Sequence, residues 1–296
     1  MQGSTTLAVI GAGRMARALL RSLRPEACTV LGVHARRDDA WSRLLVEGLV
    51  GRRARQLTMP EVFGADIVFV AVSDAALPGV VEELADLDPG QGRTRMVLHA
   101  SGFHGLGGLA ALSNRGLGLG MIHPLRSLPE GATLSGALVL VQAVEGHRDE
   151  VLQFVAGFGG EPLWCPDLDP ALYHAAATLL ANGFTALFAA VLELLQKATW
   201  GRVTPAQALG LVDSAAEPLR PPLDQSPSEA LTGPVRRGDA AVVRRHLDAL
   251  RREAPEALPT YRALMRHCLG LARKAGLDPA LADEVGRVLA SGGERV

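Results

Sequence analysis

The chain has 296 residues, 48% of them hydrophobic, and its 30 Lys+Arg against 31 Asp+Glu give a net charge of -1. That length accommodates two domains and a substantial core, and the near-cancellation of charge excludes a whole-protein nucleic-acid footprint. Cys28, Cys165 and Cys268 are far apart and form no CxxC pair, which argues for a reducing compartment and for thiols that serve as small buried hydrophobes.

No basic stretch followed by an apolar segment opens the chain, because residues 1–10 already read as the approach to a first strand; a cytoplasmic protein is expected. The strand run "LAVIG" then breaks on glycines and resumes at helical spacing. Gly11, Gly13 and Ala16 spell GxGxxA between strand and helix, with Arg14 and Met15 completing the turn. In a dinucleotide fingerprint Gly11 permits the tight turn, Gly13 lets the backbone approach a pyrophosphate, and Ala16 allows close helix packing. The first-turn amides and the helix dipole then face the phosphates.

The second strand, "CTVLGVHA", runs into Arg36 and Arg37, where an acid for the ribose hydroxyls of NAD normally stands. Arginine suits a 2′-phosphate, so NADP(H) is the expected cofactor. Asp38 and Asp39 follow, and a register shift would bring one of them to the ribose; the plain alternative for the two arginines is a solvated loop pair.

Four more strand candidates follow, "DIVFVAVSD", "MVLHASG", "LGLGMIHP" and "GALVLVQAV". Short uninterrupted Val/Ile/Leu runs predict parallel strands covered on both faces. Ligands lie outside the carboxyl ends of such strands, which here carry Val72, Ser73 and Asp74, then His99 to Gly102, then His123-Pro124. Val72 and Ser73 are cofactor-loop positions, although Ser73 or Asp74 equally suits a cap on the next helix. His123, extended by the following proline, is a general-acid candidate or a structural histidine bonded to a loop carbonyl; Ser101 is a candidate for orienting substrate. His99, His104, His123 and His174 come with no HxxxH pair, so no metal site is expected.

After "EPLWCPD" the strands stop, and Asp169-Pro170, Thr204-Pro205 and Asp278-Pro279 each place a capping side chain before an N1 proline. The expected architecture is therefore α/β: a Rossmann-type, doubly wound, mostly parallel sheet over residues 1–166, then an all-helical substrate and dimerisation domain over 167–296. From Pro170 to about Thr199 the chain predicts one helix about 45 Å long. Its centre, residues 175–192, carries no charge over a length approaching a bilayer span. It is Ala-rich and holds Asn182, Gly183 and two threonines, which suits a helix buried among helices and not a membrane span. So apolar a helix wants more cover than one small domain offers, and a homodimer through it is expected.

On that helix His174, Thr178 and Asn182 follow one another at four-residue steps and line one stripe. Buried polar groups need partners, so the stripe is either a structural network or the wall of a polar cleft. The second reading makes His174 the other general-acid candidate, Asn182 an orienting group and Thr178 a substrate contact. "EPLRPPLDQSPSEALTGP" is a loop or bend inside the helical half, and "LTGPVRRGDAAVVRRHLDAL" continues from a Gly/Pro loop to a helix capped by Asp239. Either this is simply a well-capped helix, or Thr232, the loop amides and Arg237 bind an anionic substrate group.

"VIGAGRMA", "ADIVFVAVSD", "HASG", "HPL", "YHAAATLLAN" and "LTGPVRRGD" together resemble a bacterial family that pairs a Rossmann-like domain with a C-terminal domain of unknown function. The resemblance spans nearly the whole chain and implies an NADP-dependent oxidoreductase. More distantly, "GAGRMA" and "LTGPVRRGD" are similar to pyrroline-5-carboxylate reductase, where a comparable loop lies near the substrate, although its serine-proline-glycine-glycine core is missing here. "MIHPL" is similar to the histidine-proline element of prephenate dehydrogenase, and the helical half to the β-hydroxyacid dehydrogenases, whose lysine stands four residues before an asparagine. Thr178 holds that place before Asn182, so a β-hydroxyacid handled by a lysine is not expected.

These readings converge on an NADP(H)-dependent oxidoreductase moving a hydride between the nicotinamide and a C=O or C=N carbon of a small metabolite, with His174 or His123 as general acid. A sensor or scaffold that binds NADP(H) without turnover is the alternative of another class. An NAD-linked dehydrogenase of a prephenate-like acid is the third.

Overall fold

The computed structural model describes residues 5–36, 38–51, 53–87, 92–220 and 227–291. The chain divides into two compact units, Met1–Asn182 and Gly183–Val296.

The strands of the first unit are β1 (Thr6–Ile10), β2 (Thr29–His34), β3 (Arg55–Gln56), β4 (Ile67–Val70), β5 (Met96–His99), β6 (Gly118–Pro124), β7 (Leu138–Ala143) and β8 (Glu161–Trp164). Its helices are α1 (Arg14–Ser22), α2 (Asp38–Val46), α3 (Leu77–Asp86) and α4 (Arg148–Gly157). The sheet order is β3-β2-β1-β4-β5-β6-β7-β8. Its first six places, 3-2-1-4-5-6, are those of a dinucleotide-binding sheet, with the switch in direction of winding between β1 and β4.

Leu7–Ile10 of β1, Ile67–Val70 of β4 and Met96–Leu98 of β5 are all apolar and buried because these strands are covered on both faces. Leu7 and Val9 of β1 join one core cluster with Phe69, Leu98, Phe154 of α4 and Leu19 of α1. Ala8 and Ile10 point the other way, into a second cluster with Val68, Val97 and Val81 of α3. β7 runs antiparallel to β6, because residues 125–137 hold no helix to make the crossover that a parallel neighbour requires. α4 supplies such a crossover between β7 and β8, which are parallel.

At the amino edge of the sheet, Asp66 ties β1 to the start of β4. One carboxylate oxygen accepts from the backbone N–H and hydroxyl of Thr6, both at 2.7 Å, and the other from Arg93 Nε at 2.7 Å. Burial alone would raise this carboxyl, but the Thr6 and Arg93 bonds outweigh it and hold it below the usual carboxylate range. A group whose folded pKa is lowered contributes stability above its unfolded value and loses it as pH falls through the folded one. Asp66→Ala is therefore expected to cost about 2–3 kcal/mol at pH 7, a deficit that closes on acidification below about pH 4; urea unfolding at the two pH values measures it.

α5 (Pro170–Ala198) begins in the first unit and ends in the second, so the division by compactness falls inside the helix, not at residue 166 where the expected domain boundary lies. The second unit continues with α6 (Pro205–Ala216), the single turns α7 (Pro227–Ala230) and α8 (Pro234–Arg237), then α9 (Ala240–Glu253), α10 (Leu258–Lys274) and α11 (Pro279–Ala290). Its core comprises Val235, Val243, Leu247, Leu269, Val285 and Leu289. The caps read from sequence form: Asp169 accepts from Leu172 N–H, Thr204 makes a capping box with Gln207, and Asp239 and Asp278 cap α9 and α11. Residues 221–226 of the Pro-rich stretch lie outside the described residues.

Two burial expectations are corrected. Cys28 is buried, which pushes its thiol up to about 11, whereas Cys165 and Cys268 are only half-buried. α5 is not buried among helices: none of its residues is buried. It is long and apolar enough to cross a membrane by length and composition, with no residue of that window fully buried.

Candidate functional site at the carboxyl edge of the sheet

The edge is built by register. Ile10, Val70, His99 and Met121 stand side by side across β1, β4, β5 and β6, so the turn after β1, the loop after β5 and the end of β6 all leave the sheet on one side. Gly11 has φ +105°, and a Cβ there would lie 2.5 Å from the carbonyl oxygen of Ala71; no other residue fits without moving the segment after β4. Its N–H donates to His34 O at 2.8 Å. Gly13 caps α1 with no side-chain acceptor, and a Cβ on it would meet nothing. The first-turn amides of α1 are thus left open toward an anion.

In front of this turn lies a cleft of about 370 Å³. Of the residues assigned to the cofactor from sequence, Gly11, Gly13, Arg36, Val72 and Ser73 line it, whereas Arg14, Met15 and Ala16 do not; Ala16 is fully buried. Ser73 makes no side-chain cap to the following helical turn. Arg37 lies outside the described residues. Sequence reasoning missed Arg17 and Arg43, which line the same cleft and sit about one and two helical turns beyond the expected loops. Arg17 is held by Glu47 at 3.0 Å, and Arg43 pairs with Asp39 at 3.3 Å. Asp39 also lines the cleft, and the His34 ring is occupied by Leu57 O at 2.9 Å. The residues present fit a dinucleotide: a backbone cradle that a Cβ would fill, an uncapped helix start, and arginines where β2 ends.

The loop after β5 is folded around His99, which is 0% exposed. Its Nε2–H donates to Gly105 O at 2.8 Å and its Nδ1 accepts Ser101 N–H at 3.1 Å. Both nitrogens are used, and burial pushes its pKa down to about 4, so it is a neutral clamp. Gln142 helps, accepting Leu106 N–H at 2.9 Å and donating to Pro166 O at 3.1 Å. Ser101 is 6% exposed and its hydroxyl accepts His104 N–H at 3.2 Å. The expectation that it orients substrate is therefore corrected to a turn-forming role.

Against this loop two rings meet. His123 Nδ1 is hydrogen-bonded to the hydroxyl of Tyr173, with the rings edge to face at 5.3 Å. Gly102 makes room: a Cβ there would lie 2.8 Å from Tyr173 Cε1 and 3.0 Å from the His123 ring. Burial, and secondarily the charge of His174, push His123 down to about 4. Burial, with Cys165 nearby, pushes Tyr173 up to about 12. His174 reaches the cluster through Phe103, whose ring it meets at 5.7 Å.

Thr178 and Asn182 follow His174 along α5 but are exposed, so the stripe is not a buried polar wall within one chain. Thr232 and Arg237 are exposed residues of the second unit, Arg237 ending the single turn α8. Tyr173 was passed over because the four-residue stripe starts one position later; an aromatic hydroxyl in the first turns of the helix after the last strand was the available signal. Among the described residues no group of three or more His, Cys, Asp or Glu side chains is placed to hold a metal ion.

Residues 2–124 match a family described as a Rossmann-like domain, and residues 137–268 match a domain of unknown function, DUF2520. No curated protein matches the chain. Solved structures similar to it include a Bacteroides fragilis protein assigned as an NADP oxidoreductase, with 20% identity over 90% of this chain and 98% of that one and a TM-score of 0.67. A Thermotoga maritima protein is 22% identical over 91% of this chain and 99% of its own, also with a TM-score of 0.67. A reductive aminase from Aspergillus terreus, in complex with NADPH and ethyl-5-oxohexanoate, is 16% identical over 97% and 93%, with a TM-score of 0.55. At these identities the likeness is one of fold.

Proposed function

The chain carries the two domains of the family its motifs resemble, a Rossmann-like domain and a DUF2520 domain, and from that premise we propose that it is an NADP(H)-dependent oxidoreductase acting on a small metabolite. The observation that carries the reading is the turn after β1, where Gly11 lies too close to Ala71 for any side chain and Gly13 opens onto the cleft. The pyrophosphate would rest on the Gly11–Gly13 backbone and the first-turn amides of α1. The 2′-phosphate would lie by Arg36, with Arg43 as a second cation. The dinucleotide supplies the hydride; the chain binds it, orients the partner molecule and supplies the proton.

A fluorescence titration with NADPH and NADH in parallel tests the reading. NADPH is expected to bind more tightly, and Arg36→Asp to weaken it by about tenfold or more while leaving NADH within about threefold. Equal weakening of both would place Arg36 away from the ribose. If neither cofactor bound, the oxidoreductase reading would fall.

The exposed apolar surface of α5 supports a homodimer as the working form. Leu172, Leu179, Leu180 and Phe184 lie on one stripe at i, i+7, i+8 and i+12, and Leu179 and Leu180 are each 75% exposed. A contiguous exposed apolar stripe of this length along one helix is the kind of surface that self-association covers.

A further inference from the structure

We propose that Tyr173 is the proton donor of the reduction and that His123 positions its hydroxyl by donating Nδ1–H to it, a pair that fits a neutral aldehyde or ketone as substrate. The proposal rests on the oxidoreductase reading and deepens it.

The placement follows from the sheet. A dinucleotide spread across this strand order sets its adenosine half over β1–β3 and its other half over β4–β6, and His123 ends β6 on the edge that carries Gly11. Of the groups gathered there, His99 has both ring nitrogens bonded to backbone, His104 is tied to Asp74 O at 2.9 Å, and Ser101 is buried in its turn. Tyr173 is half-buried, borders the open concavity formed by residues 165–169 and the start of α5, and has its hydroxyl bonded to His123.

The direction of the His123–Tyr173 bond decides what the pair can do. If Nδ1–H donates to the phenol oxygen, the tyrosine's own proton is free for a substrate; if the phenol donates to Nδ1, it is not. In the first arrangement the substrate carbon gains a hydride from the reduced dinucleotide, which is oxidised, and the C=O pair moves to oxygen. The Tyr173 O–H bond then breaks as the alcohol O–H forms. The phenolate then recovers its proton from solvent water, which leaves hydroxide to the buffer, while His123 keeps its Nδ1–H and stays neutral. An alkoxide is basic enough to take a proton from a tyrosine whose pKa burial has raised to about 12. A protonated imine becomes a neutral amine on gaining hydride and needs no such donor. The titratable groups around the pair are His174 on α5, His99 and His104 on the loop, Asp74 after β4 and Cys165 after β8. Burial keeps His99 and His123 neutral above about pH 5.

The test reads the bond before it reads activity. Ring-nitrogen NMR of histidine-labelled protein is expected to show His123 as the Nδ1–H tautomer, unchanged between pH 6 and 9, with the Nδ1 signal moving in Tyr173→Phe. The chain has only two tyrosines, so in Tyr261→Phe the absorbance of phenolate follows Tyr173 alone, and its ionisation is expected to shift when His123 is replaced by Ala. In turnover with NADPH, Tyr173→Phe should lower kcat toward cyclohexanone or benzaldehyde by about 10²–10⁴-fold, leave NADPH binding unchanged, and leave any turnover of 2-methyl-1-pyrroline within about threefold. An Nε2–H tautomer overturns the proposal whatever the turnover. So does carbonyl reduction that survives Tyr173→Phe while NADPH still binds, whereas loss of NADPH binding by the unaltered protein would instead overturn the oxidoreductase reading.

Discussion

Gly11→Val is expected to abolish dinucleotide binding and to destabilise the chain by about 3 kcal/mol or more, whereas Gly13→Ala is expected to abolish binding alone. At φ +105° a β-branched residue is strained by about 1–3 kcal/mol before it touches anything. Its Cβ would then stand 2.5 Å from Ala71 O and 3.0 Å from Ala71 C, both backbone atoms. Ala71 cannot withdraw cheaply, because its N–H donates to Ile10 O at 2.8 Å and Gly11 itself donates to His34 O at 2.8 Å. Relief on one side breaks a ladder bond on the other, at about 1 kcal/mol each. Gly13 has an ordinary φ of -75°, and its added methyl would meet nothing in the protein. Only a ligand can object to it. Thermal unfolding and NADPH titration of the two variants separate the roles: Gly11→Val should lower the melting temperature by about 5 °C or more, and Gly13→Ala should leave it in place. A Gly13→Ala protein that bound NADPH normally would move the phosphates off this turn.

What was legible in the sequence was whatever is decided locally. The glycine turn could be read because Gly11 answers to a backbone conformation as well as to a neighbour. The starts of α5, α6, α9 and α11 could be read because Asp169, Thr204, Asp239 and Asp278 bond to amides two or three residues ahead. β3 could not, since Arg55 and Gln56 are two exposed polar residues whose strand exists only because β2 lies beside them. Nor does an apolar run carry its own direction, so the reversal between β6 and β7 depends on the connection and not on either strand. The His123–Tyr173 contact joins residues 50 apart in the chain, and Ser101 looked available until His99 folded the loop over it. For α5 the period of the polar stripe was visible, but which side would be covered is a property of what packs against the helix. Among the described residues none of α5 is fully buried.

That bareness leads to the second large effect: Leu179→Glu with Leu180→Glu is expected to convert a dimer to a monomer while the melting temperature of the isolated chain changes little. Each leucine is 75% exposed in the single chain, and burying such a side chain against a partner is worth roughly 2 kcal/mol. A two-fold interface repeats every contact, so four leucines are lost together, roughly 8 kcal/mol before the repulsion of four carboxylates is added. Since 1.4 kcal/mol is about tenfold in affinity, dissociation should strengthen by at least about 10³-fold. The same substitutions in a helix exposed to solvent would change the stability of the chain by only about 0.5 kcal/mol. Sedimentation at micromolar concentration distinguishes the cases: a dimer of the unaltered chain and a monomer of the variant support the interface, and a monomeric unaltered chain ends it. Because α5 also has the length and composition of a membrane span, flotation with lipid vesicles is the matching control, in which the unaltered protein is expected to stay with the aqueous layer. Association with the vesicles would make lipid, not a second copy, the cover that Leu172, Leu179, Leu180 and Phe184 require.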